Sequence, residues 1–83
     1  MTRQLDGAPD LSIVMPCYNE AENVPHTVPR LVKAFTQAGC VFEVVVVDNG
    51  SKDATWERLG ALVEQFPGIV RRVKVEQNSL IAQ

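Results

Sequence analysis

Apolar and polar positions divide the chain into five blocks. Residues 11–17 and 41–47 are two almost unbroken apolar runs, each ending abruptly at turn-forming residues. Such runs predict parallel strands buried on both faces, because only a strand covered twice tolerates continuous Val and Ile. Residues 28–38 place Leu31, Val32, Phe35 and Ala38 at helical spacing, with Arg30, Lys33 and Gln37 turned to water. The predicted start is late because Pro25 and Pro29 cannot both lie in a helix interior. Thr27 as N-cap puts Pro29 in the first turn, where it is tolerated. His26, between the prolines, then falls in a loop. Residues 53–66 repeat the helical pattern through Trp56, Leu59, Leu62, Val63 and Phe66, with Asp53 as the cap. Gly60 weakens that helix by about 1 kcal/mol relative to alanine, and leaves room for close contact with the sheet. In residues 69–76, Ile69, Arg71, Val73 and Val75 alternate with Val70, Arg72, Lys74 and Glu76. A strand this charged predicts a sheet edge.

The order β-α-β-α-β with short connections predicts an α/β fold. Its expected core is a three-stranded parallel sheet with right-handed crossovers, in the order 3-2-1. One edge of the first strand is then bare. Its residues carry no charge to deter pairing, so self-association through that edge is expected.

Composition narrows the classes. Eighty-three residues, 46% apolar and 22% charged, make one small globular domain. A chain of this size buries only about 60–65% of its unfolded surface, so its core is small. A net charge of −2 leaves no basic footprint for nucleic acid. No apolar run approaches the length needed to cross a bilayer, and the start of the chain has no signal-peptide pattern. The expected location is cytoplasmic, with residues 1–10 a disordered leader, 11–78 the domain and 79–83 a tail. Cys17 and Cys40 fall at opposite ends of neighbouring strands, roughly 15–20 Å apart at about 3.3 Å per residue. A disulfide needs Cα atoms within about 7 Å. Both are expected to be free and largely buried.

The chemistry-bearing residues sit where the two apolar runs stop. Pro16 ends the first strand, and Tyr18, Asn19 and Glu20 follow; Asp48, Asn49, Gly50 and Ser51 follow the second. Open α/β sheets bind ligands at these carboxyl ends. Tyr18 offers an apolar ring with a polar tip, suited to packing beside a base or ribose, or to the edge of a core. Asn19 and Glu20 can bond the loop backbone or reach a ligand. Asp48 to Ser51 are equally the residues of a turn before a helix. Trp56 reads as core, and Arg71, Arg72 and Lys74 as a solvated edge face.

Two motifs carry a resemblance. Pro16-x-Tyr18-Asn19-Glu20 after an apolar strand, then Val47-Asp48-Asn49-Gly50-Ser51-x-Asp53 after a second, resembles the start of glycosyltransferase family 2. The likeness extends from about Leu11 to Asn78. Ala21-Glu22-Asn23 and Thr55-Trp56-Glu57 look most like the polyprenyl-phosphate sugar transferases, of the dolichol-phosphate mannose synthase kind. The resemblance implies the N-terminal half of a GT-A, Rossmann-like fold and a nucleotide-sugar donor. It also implies a nucleotide site at Pro16, Tyr18, Glu20, Asp48 and Asn49. The family more often carries aspartate where Asn49 stands, at a position that contacts the base. A carboxylate only accepts, which suits the paired donors of guanine. An asparagine both accepts and donates, which favours uracil and hence a UDP-sugar.

The family pattern continues with an Asp-x-Asp that holds Mg²⁺ or Mn²⁺ and with a further acidic base. Asp53 is the last aspartate here and no Asp-x-Asp occurs. The cation's ligands and the base are therefore absent from this sequence, and no catalytic residue is assigned. The expectation is a transferase fragment, inactive alone. The alternative is a non-catalytic module that binds a nucleotide or a protein.

Overall fold

The computed structural model describes residues 9–76. The elements are β1 (Leu11–Cys17), α1 (Val24–Gln37), β2 (Phe42–Asp48), α2 (Thr55–Gln65) and β3 (Val70–Lys74). The sheet is parallel throughout, with β2 between β1 and β3. This is the expected α/β architecture and strand order. The proposed leader, apart from Pro9 and Asp10, and the proposed tail lie outside the described residues.

Register makes the sheet two-faced. Ile13, Met15 and Cys17 pair with Val44, Val46 and Asp48, and Val44 and Val46 pair in turn with Val70 and Arg72. Side chains alternate along a strand, so these residues share one face. Right-handed crossovers in this order put both helices on that face. There Val24, Val28 and Val32 of α1 and Leu59 and Leu62 of α2 close over Phe42, Val44, Val46 and Val70. Phe35 packs against Phe42 at 5.6 Å between ring centroids. The opposite face carries Ser12, Val14, Glu43, Val45, Val47, Arg71 and Val73. No described element covers it, and Val14 is 63% and Val73 40% exposed. The expectation that the apolar runs would be buried on both faces is therefore met on one face only.

α1 begins four residues before the expected start. Pro25 occupies its second position, where no helical N–H partner is needed, so it costs nothing. Pro29 then lies inside the helix. It removes the bond that would reach the Pro25 carbonyl. The buried stripe Val24, Val28 and Val32 offsets this loss, since packing supplies most helix stability in proteins. His26 is thus an exposed helical residue, and Ala38 caps the end in solvent instead of joining the stripe.

β3 is an edge strand, but only Arg71 behaves as a solvated cation. The Arg72 guanidinium lies 3.9 Å from the Trp56 ring centroid and donates to the Trp56 carbonyl at 2.7 Å. Lys74 Nζ stands 4.7 Å from the same ring. Trp56 is accordingly half-buried beneath two cations, not enclosed in the core. Gly60 makes this possible: a Cβ there would stand 2.9 Å from an Arg72 nitrogen. Both cysteines are free, as expected; Cys17 is buried, but Cys40 is exposed.

Candidate functional site

The sheet ends by bringing two polar loops together. Residues 18–23 leave β1 and residues 49–54 leave β2. The Asn49 amide bonds the Cys17 carbonyl at 2.9 Å, tying the loops at their base. Pro16, Tyr18, Glu20, Asp48 and Asn49 all fall in this region, as the sequence predicts. They differ in access. Pro16 and Tyr18 are exposed and Glu20 is half-buried, while Asp48 and Asn49 are buried at 0% and 3% exposure.

The two buried residues are incompletely paired. Asp48 Oδ1 accepts the Ser51 amide at 3.0 Å. Asp48 Oδ2 and Asn49 Oδ1 have no partner among the described residues. Buried polar atoms are almost always bonded, because desolvation without a partner costs roughly 1–3 kcal/mol. Gly50 turns the chain at this point with φ of 80°, a conformation costly for other residues.

The upper part of the site is held by bonds between the loops. Asn19, itself left-handed at φ 53°, receives the Lys52 amide on Oδ1 and donates its own amide to Ser51 Oγ, both at 2.8 Å. The Glu20 amide donates to Thr55 Oγ1 at 2.8 Å. The Thr55 hydroxyl donates onward to Asp53 Oδ1, which also accepts the Thr55 amide at 2.9 Å. Asp53 Oδ2 takes the Ala21 amide at 3.3 Å. The Thr55 hydroxyl bond, first among several, holds the Asp53 carboxyl below its usual range. The Glu20 carboxylate is turned to Asn23, whose amide nitrogen lies 2.7 Å from Oε1.

These contacts revise three roles. The Ser51 hydroxyl bonds the other loop, while its amide bonds Asp48 at the start of its own. The N-cap of α2 is Ala54, not Asp53; Asp53, one residue earlier, accepts the Thr55 amide on Oδ1 and also spans the loops. Thr55, which the sequence offers only as part of a family-like triplet, bonds both the other loop and Asp53.

An open cleft of about 210 Å³ borders the loops, lined by Met15, Pro16, Cys17, Glu20, Asn23, Val24 and Thr27. It includes Pro16 and Glu20 but not Tyr18, Asp48 or Asn49. Cys17, in its wall, is no ready nucleophile. Burial, with added repulsion from Asp48, Glu20 and Asp53, pushes its thiol up to about 11, and only a thiolate attacks. The amides that open α1 are already bonded to Glu20 and Asn23 carbonyls or absent at Pro25. Among the described residues no three His, Cys, Asp or Glu side chains are grouped to hold a metal. No helix among them is long and apolar enough to cross a membrane.

Polar loops joined at the carboxyl ends of parallel strands define a protein of the open α/β class, whose ligands bind at that end. Within that class, the chain belongs to glycosyl transferase family 2, whose model matches residues 12–83. Over 65 residues it is 38% identical to a dolichol-phosphate mannosyltransferase of Pyrococcus furiosus, covering 77% of this chain and 18% of that protein. Over 68 residues it is 37% identical to an undecaprenyl-phosphate 4-deoxy-4-formamido-L-arabinose transferase of Pseudomonas aeruginosa, covering 82% and 20%. An uncharacterized glycosyltransferase of Synechocystis is 42% identical over 50 residues, covering 60% and 16%. The chain thus spans a fifth or less of the length of these relatives.

Proposed function

We propose that this chain supplies the nucleotide-recognising part of a transferase that moves a sugar from a nucleotide-sugar to a polyprenyl phosphate. The acceptor class is suggested by the names of the Pyrococcus and Pseudomonas relatives. The observation that carries the donor half is the pair of buried, unpartnered oxygens, Asp48 Oδ2 and Asn49 Oδ1, at the base of the two loops. A ligand that donates an N–H to the Asp48 carboxylate relieves one of them. Rotation of the Asn49 amide by a half-turn presents its NH₂ as a donor. An acceptor beside a donor matches the edge of uracil, with its N3–H flanked by carbonyls. The proposed donor is therefore a UDP-sugar. Tyr18, exposed above, supplies a ring face for the base or ribose, and Pro16 and Glu20 border the cleft beside it.

The family implies a divalent cation, which as a Lewis acid stabilises a leaving diphosphate. The described residues do not form a donor set for it, and no step through a cation is assigned to them. Their work is binding and orientation. Binding that does not strengthen in the transition state gives no acceleration, so the chain alone is expected to bind UDP weakly and to transfer nothing.

Titration of the labelled chain with UDP and, separately, GDP tests this reading by NMR. UDP should move the Tyr18, Glu20 and Asn49 signals more than GDP, and Asn49→Asp should narrow the difference. Equal or larger shifts with GDP would overturn the uracil assignment.

A further inference from the structure

We propose that Thr55 is a positioning residue of the nucleotide site. It acts through the backbone of Glu20 and touches no ligand itself. This inference rests on the nucleotide reading above.

Thr55 opens α2 and is fully buried, although its side chain is polar. Its hydroxyl has one proton to give and lone pairs to accept with. Both capacities are used, and in a fixed direction. The Glu20 N–H donates to Thr55 Oγ1, and the Thr55 O–H donates to Asp53 Oδ1. A bond that ends on a charged acceptor polarises the hydroxyl and strengthens its acceptance from Glu20. The relay joins the loop after β1 to the first turn of α2. It holds Glu20 at a set height over the loop that follows β2, two residues from Tyr18.

Two neighbouring contacts lie on either side of it. Asn19, one residue earlier, is pinned to Ser51 and Lys52. Ala21, one residue later, is pinned to Asp53, and its carbonyl accepts Arg58 at 3.3 Å. Three consecutive amides, Asn19 to Ala21, therefore all end on side chains of residues 51–55. The N-cap of α2, Ala54, makes no side-chain capping bond, so these bonds are not part of a helix cap. They serve the relative placement of the two loops, which a ligand held by residues of both depends on.

The test compares Thr55→Val, which deletes the hydroxyl at nearly constant shape, with Thr55→Ser, which keeps it. UDP is the probe, and Leu62→Ala serves as a destabilised control outside the site. Thr55→Val should weaken UDP binding roughly tenfold, the scale of one lost bond. Thr55→Ser should bind as the parent does, and Leu62→Ala should keep its affinity while folded. A Thr55→Val chain with parental affinity, or a Thr55→Ser chain weakened as much, overturns the proposal. Amide hydrogen exchange supplies a readout without ligand: the Glu20 amide should exchange at least roughly tenfold faster in Thr55→Val. If the parent takes no UDP, the nucleotide reading falls. Exchange then decides the relay alone, faster exchange supporting it and unchanged exchange overturning it. Should Thr55→Val not fold, Asp53→Ala removes the exposed end of the relay and should lower affinity in the same direction.

Discussion

The two faces of the sheet are built from the same residue types yet have different surroundings. On one, Val44 and Val46 are sealed beneath α1 and α2. On the other, Val14, Val45, Val47 and Val73 form an apolar field that no described element covers. Hydrophobic burial scales with area removed from water, so these valines contribute unequally although the sequence writes them alike. The polar row Ser12, Glu43 and Arg71 occupies one end of the open face and leaves its other end, near the candidate site, apolar.

The largest effect should come from breaking the covered face. Leu59 is fully buried against the sheet, and Leu59→Ala should cost about 2–5 kcal/mol by denaturant unfolding. Val14→Ala, on the open face, should cost less than about 0.5 kcal/mol. Comparable losses would mean that the open face is covered in solution. Sedimentation at several concentrations would show whether a second copy covers it. In that event Val14→Lys, which puts a charge on the bare strand, should return the chain to monomer.

How much of this was legible follows from the kind of signal. The expected bounds of β1 match the structure, but Pro16 does not end the strand: it pairs with Val47 and the ladder continues through Cys17 to Asp48. β2 was placed one residue early, because Asp48 is polar yet extends the strand with its side chain buried. The sheet order followed from connection lengths. The start of α1 is not legible from its prolines, because the structure accepts Pro25 at the helix start and sustains Pro29 in the interior by packing. The strand ends do bring the two polar loops together, as their order along the chain implies. The bonds between these loops are not legible: Asn19, Glu20 and Ala21 meet Ser51, Thr55 and Asp53 at separations of more than thirty residues, and local pattern cannot say which loop a serine or threonine will bond. The open face was illegible for a related reason. A valine run states that burial is favourable, not what provides it.

A smaller effect sharpens the covered face at its β3 edge. Gly60→Ala should gain about 1 kcal/mol of helix propensity. The new methyl would displace the Arg72 guanidinium from the Trp56 ring, losing a contact of about 0.5–1 kcal/mol along with its bond to the Trp56 carbonyl. The two losses together come to about 1–2.5 kcal/mol, so Gly60→Ala should be neutral to destabilising by about 1.5 kcal/mol in the parent. In an Arg72→Ala background the opposing term is gone, and the same change should stabilise by about 0.5–1 kcal/mol. Equal effects in both backgrounds would show that Gly60 and Arg72 are uncoupled.

The smallest effect belongs to the polar row on the open face. Glu43 is held below the usual carboxylate range, first by the Ser12 hydroxyl and next by Arg71, whose nitrogen lies 3.2 Å from Oε1. Because the folded value is depressed, the stability this group adds is complete above its unfolded pKa. It is lost as pH falls through the folded value, below the ordinary carboxylate range. Glu43→Gln should therefore remove this contribution at neutral pH, leave stability below the folded pKa nearly unchanged, and so flatten the acid side of the stability curve. The order of causes makes a finer test by carbon-detected titration of the carboxyl. Ser12→Ala should raise the Glu43 pKa more than Arg71→Ala does, and the Ser12 share should persist in salt. The Arg71 share should fade with ionic strength, since that guanidinium is well exposed and exposed charges are screened. A titration dominated by Arg71 and erased by salt would instead make this row a loose surface ion pair, leaving the open face with no fixed polar boundary.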